Sequence, residues 1–399
     1  MLKRLLVVLM VFGLFAIQLQ AWPWSSLEEK AEKYLAELRE ISEKAEDLDQ
    51  IGWNPRVHVL GIKLQELGSP AVQPMINEML DKKNDWKFRY VVGGILTYEK
   101  RNPNDVRLII NAAKIIAMDS QDNIIIRKNA IKFISFLAGS WSILEKDERR
   151  KILRELIKMM EDKNSNVSLR WEIIRDLSRF AHRFGEGLFL SLVDALNDEN
   201  PQIRAITVCT LGVVARTVKR NQIGKILIEH LKCEKNDLVK DQIINEIKIE
   251  KLFQAIPLFL ESLTNAKYCS KAKAAEILGD WKVEEAIPDL IEVLGTGKGF
   301  EKYMAADALG KLRAEAAVGP LIKLLGEDPG LTEKAAEALG KIGNPIAIKP
   351  LMKIFKDGEK YQVEDSKEIT WALRSLGVSE QKLEELKQRK DMEYIKERK

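Results

Sequence analysis

The sequence predicts an all-α fold, a right-handed α-α superhelix built from roughly ten stacked helical hairpins. Three observations predict it. Prolines recur at positions 257, 288, 320 and 350, each opening an apolar helical pattern, with spacings of 31, 32 and 30 residues. Between them recur Ala274-Ala275-Glu276-Ile277-Leu278-Gly279, Ala305-Ala306-Asp307-Ala308-Leu309-Gly310 and Ala335-Ala336-Glu337-Ala338-Leu339-Gly340. Elsewhere apolar residues follow steps of three and four, the period of a helix, and no strand pattern interrupts them.

The chain begins with Lys3 and Arg4, then an apolar run from Leu5 to Ile17, then Gln18, Leu19, Gln20 and Ala21. That is the layout of a secretory leader. The run makes roughly 20 Å of helix, short of the roughly 30 Å hydrocarbon core a stable anchor must cross. Residues 1–21 therefore read as a signal peptide cleaved after Ala21, which makes the protein exported, periplasmic or secreted. The alternative is an inner-membrane anchor over residues 5–19, which Trp22 and Trp24 would suit as interfacial residues.

Residues 22–52 form an amphipathic N-terminal segment. Ser26 and Glu29 have the spacing of a capping box, and Leu27, Ala31, Tyr34, Leu38, Ile41, Ala45 and Leu48 make one stripe that stops at Gly52, Asn54 and Pro55. Such a stripe either covers the open end of the repeat stack or recruits a partner as a coiled coil.

Residues 53–253 carry looser repeats. First helices are expected near Val57, Lys87, Asn123, Val167 and Pro201, and second helices near Ala71, Asp105, Arg150, Glu186 and Gln222. The wider spacing there predicts longer loops at Asp119–Asn123 and Gly139–Asp147. Residues 254–378 carry the regular repeats. A proline in a first turn gives up an amide that had no intrahelical partner, and its fixed φ suits a helix start. Gly costs about 1 kcal/mol inside a helix relative to Ala, so Gly279, Gly310 and Gly340 imply close backbone approach or helix ends. Residues 379–399 read as a charged terminal helix or tail.

These repeats resemble HEAT repeats, and in particular the short HEAT-like repeats first associated with phycobilisome lyases. The resemblance implies a HEAT-type α-solenoid. It also implies a link between an acidic turn residue and a basic residue six positions on, as in Asp198 with Arg204 and Asp328 with Lys334, bridging adjacent repeats. The second glycine of the family pattern stands at Gly343 but is replaced by Lys282 and Arg313, which leaves the helix ends there open.

The chemistry is sparse. His58, His182 and His230 are the histidines, none near another in sequence, and no metal-ligand spacing, phosphate loop or nucleophile motif is present. Gly295-Thr296-Gly297-Lys298-Gly299 lacks the Lys-Ser/Thr ending and follows a helix, so it reads as an inter-repeat loop. The resemblance also brings to mind the deoxyhypusine hydroxylases, whose iron-binding His-Glu pairs are absent here: Val59, Arg183 and Leu231 follow the histidines. Cys209, Cys233 and Cys269 cannot all pair; Cys209 and Cys269 read as buried thiols, with a Cys209–Cys233 bridge open. Trp86, Trp141, Trp171, Trp281 and Trp371 read as packing between hairpins.

A formal charge of +4 with Lys and Glu mixed throughout gives no basic surface for nucleic acid. The expected function is non-catalytic binding of a protein or peptide by a monomer, with no cofactor. In a HEAT-type array the second helices line the concave face, which nominates Asp289, Glu292, Lys323, Lys349 and Lys353. An enzyme or enzyme accessory of the bilin-lyase type is the alternative that the resemblance allows.

Overall fold

The computed structural model describes residues 24–386, apart from 53, 98–101, 140–143, 179–180, 217–219, 358–362 and 364–365. Residues 1–21, Trp22 and Trp141 lie outside the described residues. Among those described there is no strand, and no helix is long and apolar enough to cross a membrane. The chain divides into two compact units, residues 1–220 and 221–399.

Unit 1 opens with α1 (Trp24–Lys44) and α2 (Leu48–Gly52). Four hairpins follow: α3 (Pro55–Glu66) with α4 (Val72–Leu80), α5 (Trp86–Leu96) with α6 (Pro103–Met118), α7 (Ile124–Gly139) with α8 (Lys146–Glu161), and α9 (Val167–Leu177) with α10 (Ala181–Ala195). The unit closes with α11 (Pro201–Ala215). The helix starts lie within a few residues of the expected ones. The expected loop at Asp119–Asn123 is only the gap between α6 and α7; the extra length of this region is in α6, α7 and α8, each 16 residues long.

Helix α1 already begins at Trp24, so Ser26 is not its first flanking residue. It lies against α3, α4 and α5, with Ala31, Leu35 and Leu38 fully buried. Buried Ser42 turns its hydroxyl back to the Leu38 carbonyl at 2.9 Å. The seam thus uses Leu35 and Ser42, while Tyr34 and Ile41 are half-buried. The predicted stripe breaks after Lys44, where the Asp47 carboxylate accepts the Gln50 amide (2.8 Å) and starts α2 as a separate turn.

Each first helix of unit 1 begins at an asparagine or aspartate whose side chain accepts an early amide: Asn54, Asp85, Asn123, Asn166 and Asn200. Such caps satisfy donors that the helix itself cannot. The far ends of second helices are satisfied by arginine. Arg89, Arg127 and Arg170 each donate Nε to the carbonyl ten residues earlier, on Met79, Ala117 and Met160. Arg89 also grips Asp122 with two bonds (2.8 and 2.6 Å), and Arg170 pairs with Asp198 at 2.5 Å.

The expected Asp198–Arg204 bridge is therefore displaced by one repeat. Asp198 is taken by Arg170 of the repeat before, and Arg204 donates to the backbone carbonyls of Asp198 (2.7 Å) and Glu199 (3.1 Å). Burial explains the choice. Arg170 and Asp198 are both buried, where a charge without a partner is costly, and Arg204 is less buried.

Unit 2 begins with α12 (Arg220–Cys233) and continues as α13 (Asp237–Ile249) with α14 (Ile256–Asn265), α15 (Lys271–Asp280) with α16 (Ile287–Thr296), α17 (Gly299–Leu312) with α18 (Val318–Leu324), and α19 (Pro329–Ile342) with α20 (Ile348–Lys356). Helix α21 (Lys367–Ser375) follows. A one-turn 3-10 segment precedes each second helix and ends on Ala255, Ala286, Ala317 or Ala347, all fully buried. A small residue suits that buried corner, and the recurring proline stands two or three residues beyond it. Gly295 and Thr296 close α16 and Gly299 opens α17, so the glycine-rich stretch joins two repeats. Trp281 packs edge-on against Phe253 and Phe259 at 5.1 and 5.6 Å.

No disulfide is formed among the described residues, and Cys209 and Cys269 are half-buried. Burial pushes the Cys269 thiol up to about 11, which keeps it protonated at neutral pH.

Candidate functional site

The first helices of unit 2 touch through bare backbone. A Cβ placed on Gly279 would lie 2.7 Å from the Ala308 Cα, on Gly310 2.8 Å from the Ala338 Cα, and on Gly340 2.8 Å from the Ala372 Cα. This close approach is what offsets the helix cost of the glycines. It also brings the charged residues beside them into one continuous row.

That row runs across α13, α15, α17 and α19. Lys248 bonds Glu276 (2.5 Å) and Asp280 (2.8 Å); Lys311 bonds Asp280 (2.6 Å) and Asp307 (2.7 Å); Lys341 bonds Glu337 (2.7 Å) and lies 3.5 Å from Asp307. Lys334, expected to meet Asp328, instead bonds Glu337 (2.5 Å) and lies 3.5 Å from Asp307. Asp328 serves as the α19 cap, accepting the Leu331 amide. Burial pushes the Asp307 carboxyl up, but the hydrogen bond from Lys311 and the charges of Lys311, Lys334 and Lys341 outweigh it and hold it below its ordinary value. Burial likewise pulls Lys311 down, and its bonds to Asp280 and Asp307 carry it above its ordinary value.

At the helix ends next to this row, the chain turns through the left-handed region at Lys251 (φ 50°), Lys282 (φ 55°), Arg313 (φ 52°) and Gly343 (φ 86°). The ends that the sequence left open are thus the same turn in each repeat. The Val283 amide reaches the Leu278 carbonyl (3.0 Å) and the Ala314 amide reaches Leu309 (3.1 Å), the closure usually made with glycine. A side chain in this conformation costs roughly 1–2 kcal/mol that glycine avoids. Lys282 and Arg313 are exposed and form no ion pair among the described residues.

These features surround an open groove of about 550 Å³, lined by Gly279, Asp280 and Lys282, then by Gly310, Lys311 and Arg313, then by Gly340 and Lys341, and closed by Trp371 and Ser375. Equivalent positions of successive repeats thus line one channel. Trp371 lies over Gly340 and is 43% exposed.

The residues nominated from sequence lie elsewhere. Asp289 and Glu292 are on α16, Lys323 on α18, and Lys349 and Lys353 on α20; all but half-buried Asp289 are exposed, and none lines the groove. In unit 1 a smaller hollow of about 230 Å³ does lie on second helices, between α6 and α8. Its charges are largely matched: Arg107 bonds Glu148 (2.6 Å) and Lys114 bonds Glu155 (2.5 Å). His58 is exposed, and His230 sits 3.3 Å from the Glu234 carboxylate. Among the described residues no cluster of His, Cys, Asp and Glu has the make-up of a metal site.

Residues 256–331 and 301–374 match the family described as HEAT repeats. No curated protein matches the sequence. Among solved structures, yeast importin-β (Kap95p) aligns with a TM-score of 0.58 at 10% identity, over 87% of this chain and 50% of that one. The Kap95:Nup1 complex gives 0.59 at 12%, over 87% and 56%. Kap121p bound to Nup53p gives 0.58 at 12%, over 90% and 43%. This chain spans about half the length of these proteins, and at such identities the likeness is one of fold. Residues 256–374 thus carry HEAT repeats, and the fold is that of an all-α, HEAT-type solenoid.

Proposed function

We propose that the protein is an exported, non-catalytic scaffold that binds a protein or extended peptide along the face of its repeat array. The observation that carries this reading is the groove of unit 2, to which α15, α17, α19 and α21 each contribute residues. A channel with repeated chemistry suits a linear ligand, which can meet the same contact once per repeat. Kap95 with Nup1 and Kap121p with Nup53p are complexes of this fold with proteins, which supports a protein as the ligand class. The second-helix residues Asp289, Glu292, Lys323, Lys349 and Lys353 remain a second candidate surface on the same repeats.

The test uses the mature chain from Trp22. Capture from the chain's own cell extract, followed by sedimentation with the purified partner, should give a stoichiometric complex whose partner is covalently unchanged. A chromophore or cofactor that co-purifies with the chain, or a chemically altered partner, contradicts the scaffold reading. Export rests on the leader-like residues 1–21; N-terminal sequencing of natively expressed protein should start at or near Trp22, and intact Met1 in the membrane fraction would point to the anchor.

A further inference from the structure

The groove of unit 2 rests on the protein-binding reading and narrows it. We propose that it receives an acidic extended peptide, whose carboxylates meet Lys282 and Arg313 and one of whose apolar side chains lies on Trp371. Three observations on separate residues converge on this chemistry.

First, the basic side chains along the groove fall into two classes. Lys311 and Lys341 are already held by Asp280, Asp307 and Glu337. Lys282 and Arg313 make no ion pair among the described residues, yet they occupy left-handed turns where the next repeat has Gly343. Strained conformations persist where something else requires the residue, and function is the common reason. Second, the row of carboxylates stops at α21. The register that carries Glu276, Asp307 and Glu337 carries Trp371 there, so an exposed aromatic ends a row that is otherwise charged. Tryptophan exposed at the end of a channel is a strong anchor for an apolar side chain.

Third, charge selects the occupant. The chain's own segment 387–399 carries Lys387, Arg389, Lys390, Lys396, Arg398 and Lys399 against Asp391, Glu393 and Glu397, so it is basic and is repelled. A nucleic acid strand is disfavoured as well. Asp280 lines the groove, and its carboxylate would face a continuous run of phosphates. A peptide can instead space its carboxylates to meet the cations and avoid Asp280.

The probe is a fluorescein-labelled peptide, Asp-Glu-Gly-Phe-Glu-Asp-Gly-Glu, measured by anisotropy against the mature full chain. Its controls are the Asn/Gln analogue and an eight-nucleotide DNA strand. We expect the acidic peptide to bind in a salt-sensitive manner, and the double variant Lys282→Gly/Arg313→Gly to weaken it about tenfold or more. The same variant should melt higher, because glycine relieves the strained turns. If the two cations serve only to complement the helix ends, the variant should melt lower and bind unchanged, which overturns the proposal. Equal binding of the neutral analogue, or tighter binding of the DNA strand, also overturns it. A natural partner that binds the double variant as well as the wild type leaves the scaffold reading intact and removes this groove from it.

Discussion

In unit 1, successive repeats meet through long side chains buried in ion pairs: Arg89 with Asp122 and Arg170 with Asp198, each arginine also closing the end of a second helix. In unit 2, the first helices meet through Gly279, Gly310 and Gly340 with alanine opposite, and the ion pairs beside them are partly exposed. Both arrangements fix the register of a stack. They differ in what they leave for a ligand. Buried pairs have no free valence, whereas close backbone contact gathers charged side chains at the surface and leaves a channel between them.

The comparison breaks most visibly at the buried pairs. Arg170→Ala leaves Asp198 buried without its partner, and chemical denaturation should show a loss of about 3–5 kcal/mol. A loss below about 1 kcal/mol would mean that the pair does not set the register of unit 1. Leu38→Asp comes next. It places a carboxylate in the fully buried seam of α1, and thermal melting should show a loss of about 3 kcal/mol with no change in sedimentation. A wild-type dimer that becomes an equally heat-stable monomer would assign α1 to recruitment instead.

The matching test in unit 2 is Gly310→Ala. The better helix propensity of alanine favours the variant by about 1 kcal/mol, and the contact with Ala338 opposes it by about 1–3 kcal/mol. Because the atom in the way is a backbone Cα at 2.8 Å, the clash should win and the protein should lose stability. A more stable variant would show that the glycines are not there for backbone contact.

Salt, more than acid, should separate the two units. Burial raises the carboxyls of Asp122 and Asp198, but the hydrogen bonds from Arg89 and Arg170, the amides of Asn123 and Asn200 and the neighbouring positive charges together outweigh it and hold both below the ordinary aspartate value. Carboxyls depressed in this way stabilise the folded chain fully at neutral pH. Their contribution starts to fall as pH drops through about 4, the ordinary value, and is gone below the lowered native value. The unit 2 row responds to acid in the same direction, yet it is partly exposed and more open to screening by salt than the buried pairs are. Hydrogen exchange at neutral pH in 1 M NaCl, compared with low salt, should therefore loosen α15, α17 and α19 more than α9. Equal loosening would erase the distinction. The smallest effect is Lys282→Gly alone, which should raise stability by about 1 kcal/mol.

The sequence made the hairpins legible because proline, alanine and glycine mark positions that suit those residues, such as the buried corner at Ala286. It did not reveal the arginine caps, since their acceptors are backbone carbonyls that have no residue identity. A signal was nonetheless present: Phe88-Arg89, Ile126-Arg127, Leu169-Arg170 and Ile203-Arg204 put arginine at the fourth position of successive first helices. The Asp198 and Asp328 pairings were misplaced because sequence spacing cannot tell a partner in the same repeat from one in the repeat before or after. Lys282 and Arg313 stood out as departures from glycine. Their meaning required the backbone, which keeps the left-handed turn despite the substitution.

The most direct test of binding through the first-helix edge is hydrogen exchange on the complex of the chain with its captured partner. We predict protection concentrated at residues 279–283, 310–314, 340–343 and 371–375. Protection confined to α16, α18 and α20, around Glu292, Lys323 and Lys353, would contradict the account and return the binding surface to the second helices.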